Sequence, residues 1–139
     1  MKKLAVIGTR PERRAKPRAR VSLQAEYRVL TLRDLARGRK RLARLSARVK
    51  NLGAGGVLLR VHRRLARRSV LSLALALPER QAPVRSLAEV KHVREVLARA
   101  HYPYAVGLEF LAISPGDTAA VRRFVSRRAG ETPGNSGKR

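Results

Sequence analysis

Asn51 opens the segment Asn51-Leu52-Gly53-Ala54-Gly55-Gly56, and it is one of only two asparagines in a chain that fills its polar positions mostly with arginine. Its amide carries both donors and an acceptor on one short side chain. The glycines beside it remove the bulk that keeps a ligand away from the backbone. Together they suit recognition of a molecule with a donor–acceptor edge of its own. Upstream, Arg14-Ala15-Lys16-Pro17-Arg18 sets two guanidiniums four residues apart on a proline-stiffened segment. Guanidiniums grip phosphates through paired hydrogen bonds and stack on flat rings. The spacing alone says little, because it recurs at Arg10/Arg14, Arg33/Arg37, Arg44/Arg48, Arg60/Arg64 and Arg123/Arg127. What singles out Arg14 and Arg18 is their place just before a strand, with the asparagine-rooted glycine turn following.

Residues for covalent or acid–base catalysis are scarce. The absence of cysteine removes thiolate nucleophiles, disulfides and zinc–thiolate sites at once. His62, His92 and His101 are scattered, and Asp34 and Asp117 are the only aspartates. Glu89, His92 and Glu95 would share a face if they lay on a helix, but three such groups without a fourth make a weak metal site. Gly134-Asn135-Ser136-Gly137-Lys138 has the flavour of a phosphate loop, yet lacks the first glycine at the right spacing, a following Ser or Thr, and a helix. The residues describe a binding protein, not an enzyme.

The elements that must position these groups are mostly strands. Val21, Leu23, Ala25, Tyr27 and Val29 alternate with polar residues, the mark of a half-buried antiparallel strand. Leu32 to Leu45 reads as a long loop or a poor amphipathic helix, and Ser46 to Lys50 as a second strand leading into the glycine turn. Gly56 to Val61, Ser69 to Leu77, and the run through Val106, Leu108 and Phe110 supply further strands. Leu87, Val90, Val93, Val96 and Leu97 keep helical spacing, so periodicity predicts a helix there. Ser114-Pro115-Gly116-Asp117 is a helix start, followed by an apolar stripe of Val121, Phe124 and Val125. Short strands separated by turns favour a small barrel or sandwich.

With 139 residues the chain is long enough for one domain. Residues 1–9 read as a flexible arm, 10–128 as the folded domain, and 129–139 as a disordered tail. The apolar run Leu4-Ala5-Val6-Ile7 stops at Gly8-Thr9-Arg10-Pro11, too short for a secretion signal or a bilayer span, which favours the cytoplasm. Net charge is +24, from 33 basic and 9 acidic residues, and 26 of the basic residues are arginine. That balance attracts polyanions such as nucleic acid, anionic lipid or phosphorylated small molecules.

Taken in order, these pieces resemble the PilZ domain, a bacterial receptor module for cyclic di-GMP. The resemblance rests on Glu12-Arg13-Arg14-Ala15-Lys16-Pro17-Arg18 before Val21-Ser22-Leu23, then Asn51 to Val57, Ala88 to Arg94, Val106 to Leu111 and Ser114 to Asp117, and it covers roughly residues 10–128. It implies a six-stranded antiparallel β-barrel followed by a C-terminal α-helix, with Ala88 to Val96 as a strand despite its helical spacing. It implies that Arg14 and Arg18 contact phosphates and guanine faces, with Arg13 a neighbouring cation. Asn51 would meet a guanine edge, and Gly56 would allow close backbone approach. Gly53 stands where the family carries serine, which removes one hydrogen bond, about 0.5–1.5 kcal/mol. The implied activity is that of a non-enzymatic receptor without a cofactor, acting on a protein partner. Two alternatives keep the barrel: a nucleic-acid binder driven by the positive charge, and an adaptor for another protein that no longer binds nucleotide.

Overall fold

A computed structural model describes residues 18–30 and 44–131, with the side chains of 129–131 excepted. Six strands and one helix follow in chain order: β1 (Arg18–Leu30), β2 (Leu45–Gly53), β3 (Gly56–Val61), β4 (Val70–Leu75), β5 (Val84–Glu95), β6 (Tyr104–Ile113) and α1 (Pro115–Glu131). The strands close into one antiparallel barrel in the order β1-β2-β3-β6-β5-β4. Closure pairs every strand on both sides and removes the exposed edges that invite aggregation.

Period-two sequence pattern makes the core. Leu71, Leu73 and Leu75 on β4 are at most 1% exposed, as are Leu59 and Val61 on β3. Burying each such leucine contributes about 1.5–3 kcal/mol. α1 closes the fold over the end where β4 turns into β5. Ser114 caps it, its Oγ accepting from the Asp117 N–H at 3.1 Å. Val121, Phe124 and Val125, with Ala120, bury the apolar stripe against the barrel. The helix runs to Glu131, so its last turn takes in residues 129–131.

Two stretches fold differently from their local pattern. Leu87 to Leu97 is mostly strand, not helix. Ladder irregularities shift the pairing of β5 with β6 at Leu87/Ala88 and at Val90/His92, and the second of these leaves Lys91 as an extra residue. An inserted residue flips the facing of everything after it, so Val90 and Val93 both reach the interior three residues apart and mimic a helical interval. Glu89, His92 and Glu95 are therefore strung along a strand, and among the described residues no group of acids and histidines is placed to hold a metal. Asn51 lies in β2 itself, which extends to Gly53 and leaves only Ala54 and Gly55 as the turn. The Leu32–Leu45 stretch falls outside the described residues up to 43, and Leu45 opens β2.

Candidate functional site

β1 begins Arg18-Ala19-Arg20, and alternation turns both arginines outward while Ala19 enters the core. Across the ladder Arg18 faces Gly53 and Arg20 faces Asn51. The asparagine amide and two guanidiniums thus share one stretch of barrel wall. From Asn51 the same row continues through Leu58 on β3 and Gly107 on β6 to His92 on β5. Directly opposed residues sit about 4.5–5.5 Å apart, so the row is one continuous outer surface. The His92 ring lies over Gly107, where an added Cβ would come within 2.5 Å of His92 Cδ2. A parallel row sets Arg48, Arg60, Ala105 and Arg94 side by side, with Arg60 Nε donating to the Tyr102 carbonyl at 2.9 Å.

Asn51 is only partly exposed on this row. Its Oδ1 is sealed from solvent and has no hydrogen-bond partner among the described residues. A buried acceptor left unpaired costs about 1–3 kcal/mol. The bulge between Val49 and Asn51 makes Lys50 the extra residue and re-aims the asparagine relative to the strand before it. Exposed Arg20 stands opposite on β1.

Gly56 pairs with Glu109 on β6. A Cβ at position 56 would lie 2.2 Å from the Leu108 carbonyl oxygen and 3.3 Å from its carbon. The demand for glycine here comes from the close approach of β6, a ground distinct from the ligand approach expected of it. Glu109 lies opposite Gly56 and Glu89 opposite Glu109, and Lys91 bridges both, at 3.4 and 3.3 Å. Hydrogen bonds to Glu89 and then Glu109 raise the Lys91 pKa above the usual lysine value, which keeps it cationic. The two carboxylates that would repel a phosphodiester are thereby held by one shared charge.

Of the residues singled out for binding, the structure brings Arg18, Asn51 and Gly56 to neighbouring β-strands at one end of the barrel, while Arg13 and Arg14 lie outside the described residues. Arg20, Leu58 and Gly107 were not singled out, and His92 was weighed only as a weak metal ligand. Arg20 was within reach, since it shares the outward parity of Arg18; the others depend on cross-strand register. A groove of about 440 Å³ lies elsewhere, over the β1–β4 wall, lined by Gln24, Glu26, Arg28, Arg44, Ser72 and Arg85 among others. It includes none of Arg18, Asn51 and Gly56.

A model of the PilZ domain matches residues 12–127 of the chain. No match was found among curated proteins. Several solved structures share the fold. The inhibitor of motility MotI/DgrA of Bacillus subtilis superposes with a TM-score of 0.65 at 18% identity, covering 91% of this chain and 54% of that one. The PilZ domain of YcgR with c-di-GMP, from Escherichia coli, gives 0.59 at 15% identity, covering 89% of this chain and 99% of that one. The MrkH–c-di-GMP complex of K. pneumonia gives 0.66 at 17% identity, covering 94% and 57%. This chain spans about half the length of the MotI/DgrA and MrkH chains.

Proposed function

The chain belongs to the PilZ domain family, and on that premise we propose that it is a non-enzymatic receptor for cyclic di-GMP whose surface changes on binding. The observation that carries the reading is the outer row in which exposed Arg20 opposes Asn51, two residues along β1 from Arg18 opposite Gly53. Two of the similar structures are complexes with c-di-GMP, YcgR and MrkH.

In this reading Arg14 and Arg18, with Arg13 beside them, clamp the phosphodiesters through charge-assisted hydrogen bonds. A guanine edge presents N–H donors, the complement that the unpaired Asn51 acceptor lacks. Because Oδ1 is sealed, ligand entry requires its cover to move, and that movement is the surface change a partner reads. We assign the receptor domain to residues 10–128, acting in the cytoplasm. Gly53 offers no hydroxyl, so the arginines and Asn51 supply the affinity between them.

Titration calorimetry with cyclic di-GMP at two salt concentrations tests the proposal. A ligand with two phosphates displaces few counterions, so its affinity falls gently with salt, whereas a nucleic acid engaging six or more phosphates shows a far steeper slope. Arg18→Ala is expected to weaken binding about tenfold or more, the loss of one charge-assisted hydrogen bond. Folded wild-type protein that takes up no cyclic di-GMP would sink the receptor reading in favour of the protein adaptor, which the glycine at position 53 also suits.

A further inference from the structure

Two of the three large hydrophobic side chains exposed among the described residues are adjacent: Val96 at 41% and Leu97 at 58%. Both sit at the tip of the β5–β6 hairpin. β5 pairs with β4 only up to Glu89, opposite Val70, while its pairing with β6 continues to Glu95, opposite Tyr104. The hairpin therefore overhangs β4 by six residues, about 20 Å at strand rise. Its tip is fastened by backbone. The N–H groups of Val96 and Leu97 both donate to the Pro103 carbonyl, at 2.8 and 3.4 Å, and Ala100 N–H donates to the Leu97 carbonyl at 3.0 Å. The aliphatic side chains are held outward by a closed turn.

Arginines surround the base of this hairpin. Residues 62–69, which join β3 to β4, contain four arginines and no carboxylate. The connection is ordered against the hairpin: Arg68 N–H donates to the Val90 carbonyl at 2.8 Å, Arg67 Nε to the Lys91 carbonyl at 3.2 Å, and the Arg64 guanidinium lies 5.9 Å over the Tyr104 ring. Arg68 keeps φ at 72°, a conformation glycine adopts without strain. The hairpin adds exposed Arg94 and Arg99, and Glu95 is the single acid from residue 91 to 103.

An aliphatic tip ringed by arginines has a specific complement: an acyl boundary beneath a layer of phosphates. Nucleic acid would satisfy the arginines but offers nothing to Val96 and Leu97, which have no ring to stack on a base, and the two rings of the same loop, His101 and Tyr102, pack edge to face on each other. We propose that the hairpin tip inserts Val96 and Leu97 into an anionic phospholipid surface while Arg94, Arg99 and the 62–69 connection engage its headgroups. The closed turn limits the ordering entropy spent on insertion, and Arg64 over the Tyr104 ring brings a charge of the neighbouring connection to the tip end of the hairpin. This docking surface is separate from the Arg18–Asn51 pair.

Sedimentation of the full chain with phosphatidylcholine vesicles, with and without phosphatidylglycerol, tests the proposal. Since net charge alone draws any face of this protein to anionic vesicles, the deciding variants keep charge constant. Leu97→Ser is expected to lower partition onto phosphatidylglycerol vesicles about tenfold. Leu111→Ser removes a leucine that is 53% exposed on β6, and partition stays unchanged. Arg94→Ala with Arg99→Ala lowers it about 30-fold, at about 1 kcal/mol per arginine. The matching pair Arg122→Ala with Arg123→Ala, on α1 at the opposite pole, changes it far less. Thermal melts check that each variant is folded. Equal behaviour of Leu97→Ser and Leu111→Ser, or no binding to phosphatidylglycerol vesicles, overturns the proposal. So does a hairpin variant that loses affinity for duplex DNA while keeping vesicle binding, which would assign the hairpin to nucleic acid.

Discussion

Changing Asp117 to asparagine removes one charge from the junction of α1 and the barrel while keeping the side chain's shape. Asp117 Oδ1 accepts from Arg80 Nη1 at 2.9 Å, and Oδ2 accepts from the Arg85 backbone N–H at 3.1 Å. The carboxylate also sits in the first helical turn, where the helix dipole favours negative charge by a few tenths of a kcal/mol. A hydrogen bond to a charged group contributes about 1.5–3 kcal/mol. Arg80 is 33% exposed and Asp117 17%, so water screens part of the pair. The expected loss at neutral pH is about 1.5–2 kcal/mol, or a fall in Tm of about 5–10 °C for a domain of this size. The pH dependence has a definite sign. Arg80 foremost, then the Arg85 N–H, holds the Asp117 pKa below its usual 3.8, against the opposing effect of burial. A carboxylate depressed in the folded state stabilises fully above its unfolded pKa and loses that contribution as pH falls through the folded value. Circular dichroism melts of wild type and Asp117→Asn across pH should show a constant gap from neutrality to about pH 5 and a shrinking gap below about pH 4. The variant stays folded, because Phe124 remains buried and Arg127 still pairs with Glu79. A double-mutant cycle with Arg80→Ala isolates the pair itself. Melts that coincide at neutral pH, or a gap that persists unchanged into acid, would refute the reasoning.

Three further perturbations probe other parts of the fold. Gly56→Ala should destabilise the barrel by at least about 1–3 kcal/mol in urea titration, because its Cβ meets the Leu108 carbonyl at 2.2 Å and a backbone oxygen cannot swing aside. An unchanged urea midpoint would mean that β3 and β6 can separate at no cost. Gly53→Ser should tighten cyclic di-GMP binding about three- to tenfold by calorimetry, the yield of one added hydrogen bond; unaltered affinity would remove position 53 from the site. Arg68→Gly should raise stability by about 0.5–1 kcal/mol, since relief of the positive φ at 72° exceeds the extra entropy of glycine in the unfolded chain; a lower denaturation midpoint would show that the arginine side chain holds the connection in place.

Much of the barrel was legible because hydrophobic alternation is a local signal. The interval Leu71, Leu73, Leu75 states both strand and facing, and Ser114 to Asp117 states the helix start, each within a few residues. β5 was illegible to periodicity for the opposite reason, and the family resemblance alone marked Ala88 to Val96 as a strand. Its extra residue, Lys91, belongs to the pairing with β6 and leaves no local mark, so Val90 and Val93 read as a helical step. The site divides in the same way. Asn51 announces itself by residue type and Arg18 by its place just before a strand, but Arg20 opposite Asn51 and the row to His92 follow from register alone. Gly56 was chosen for one reason and is required for another, since the neighbour that forbids a side chain there lies 52 residues away at Leu108.

The strand order has a consequence for synthesis. β1 to β3 can pair as soon as they emerge, but the seams that close the barrel are β1 with β4 and β3 with β6, joining Ala25 to Leu75 and Gly56 to Glu109. On a ribosome the outer edge of β3 must wait until β6 has been made, with apolar Val57 and Leu59 already in place behind it. Pairings this distant in sequence make folding slow, and partly made barrels carry open strand edges that join readily to one another. The same closure that leaves the finished barrel without an edge makes the nascent chain a client for chaperones, and any change that delays either seam is felt first in yield.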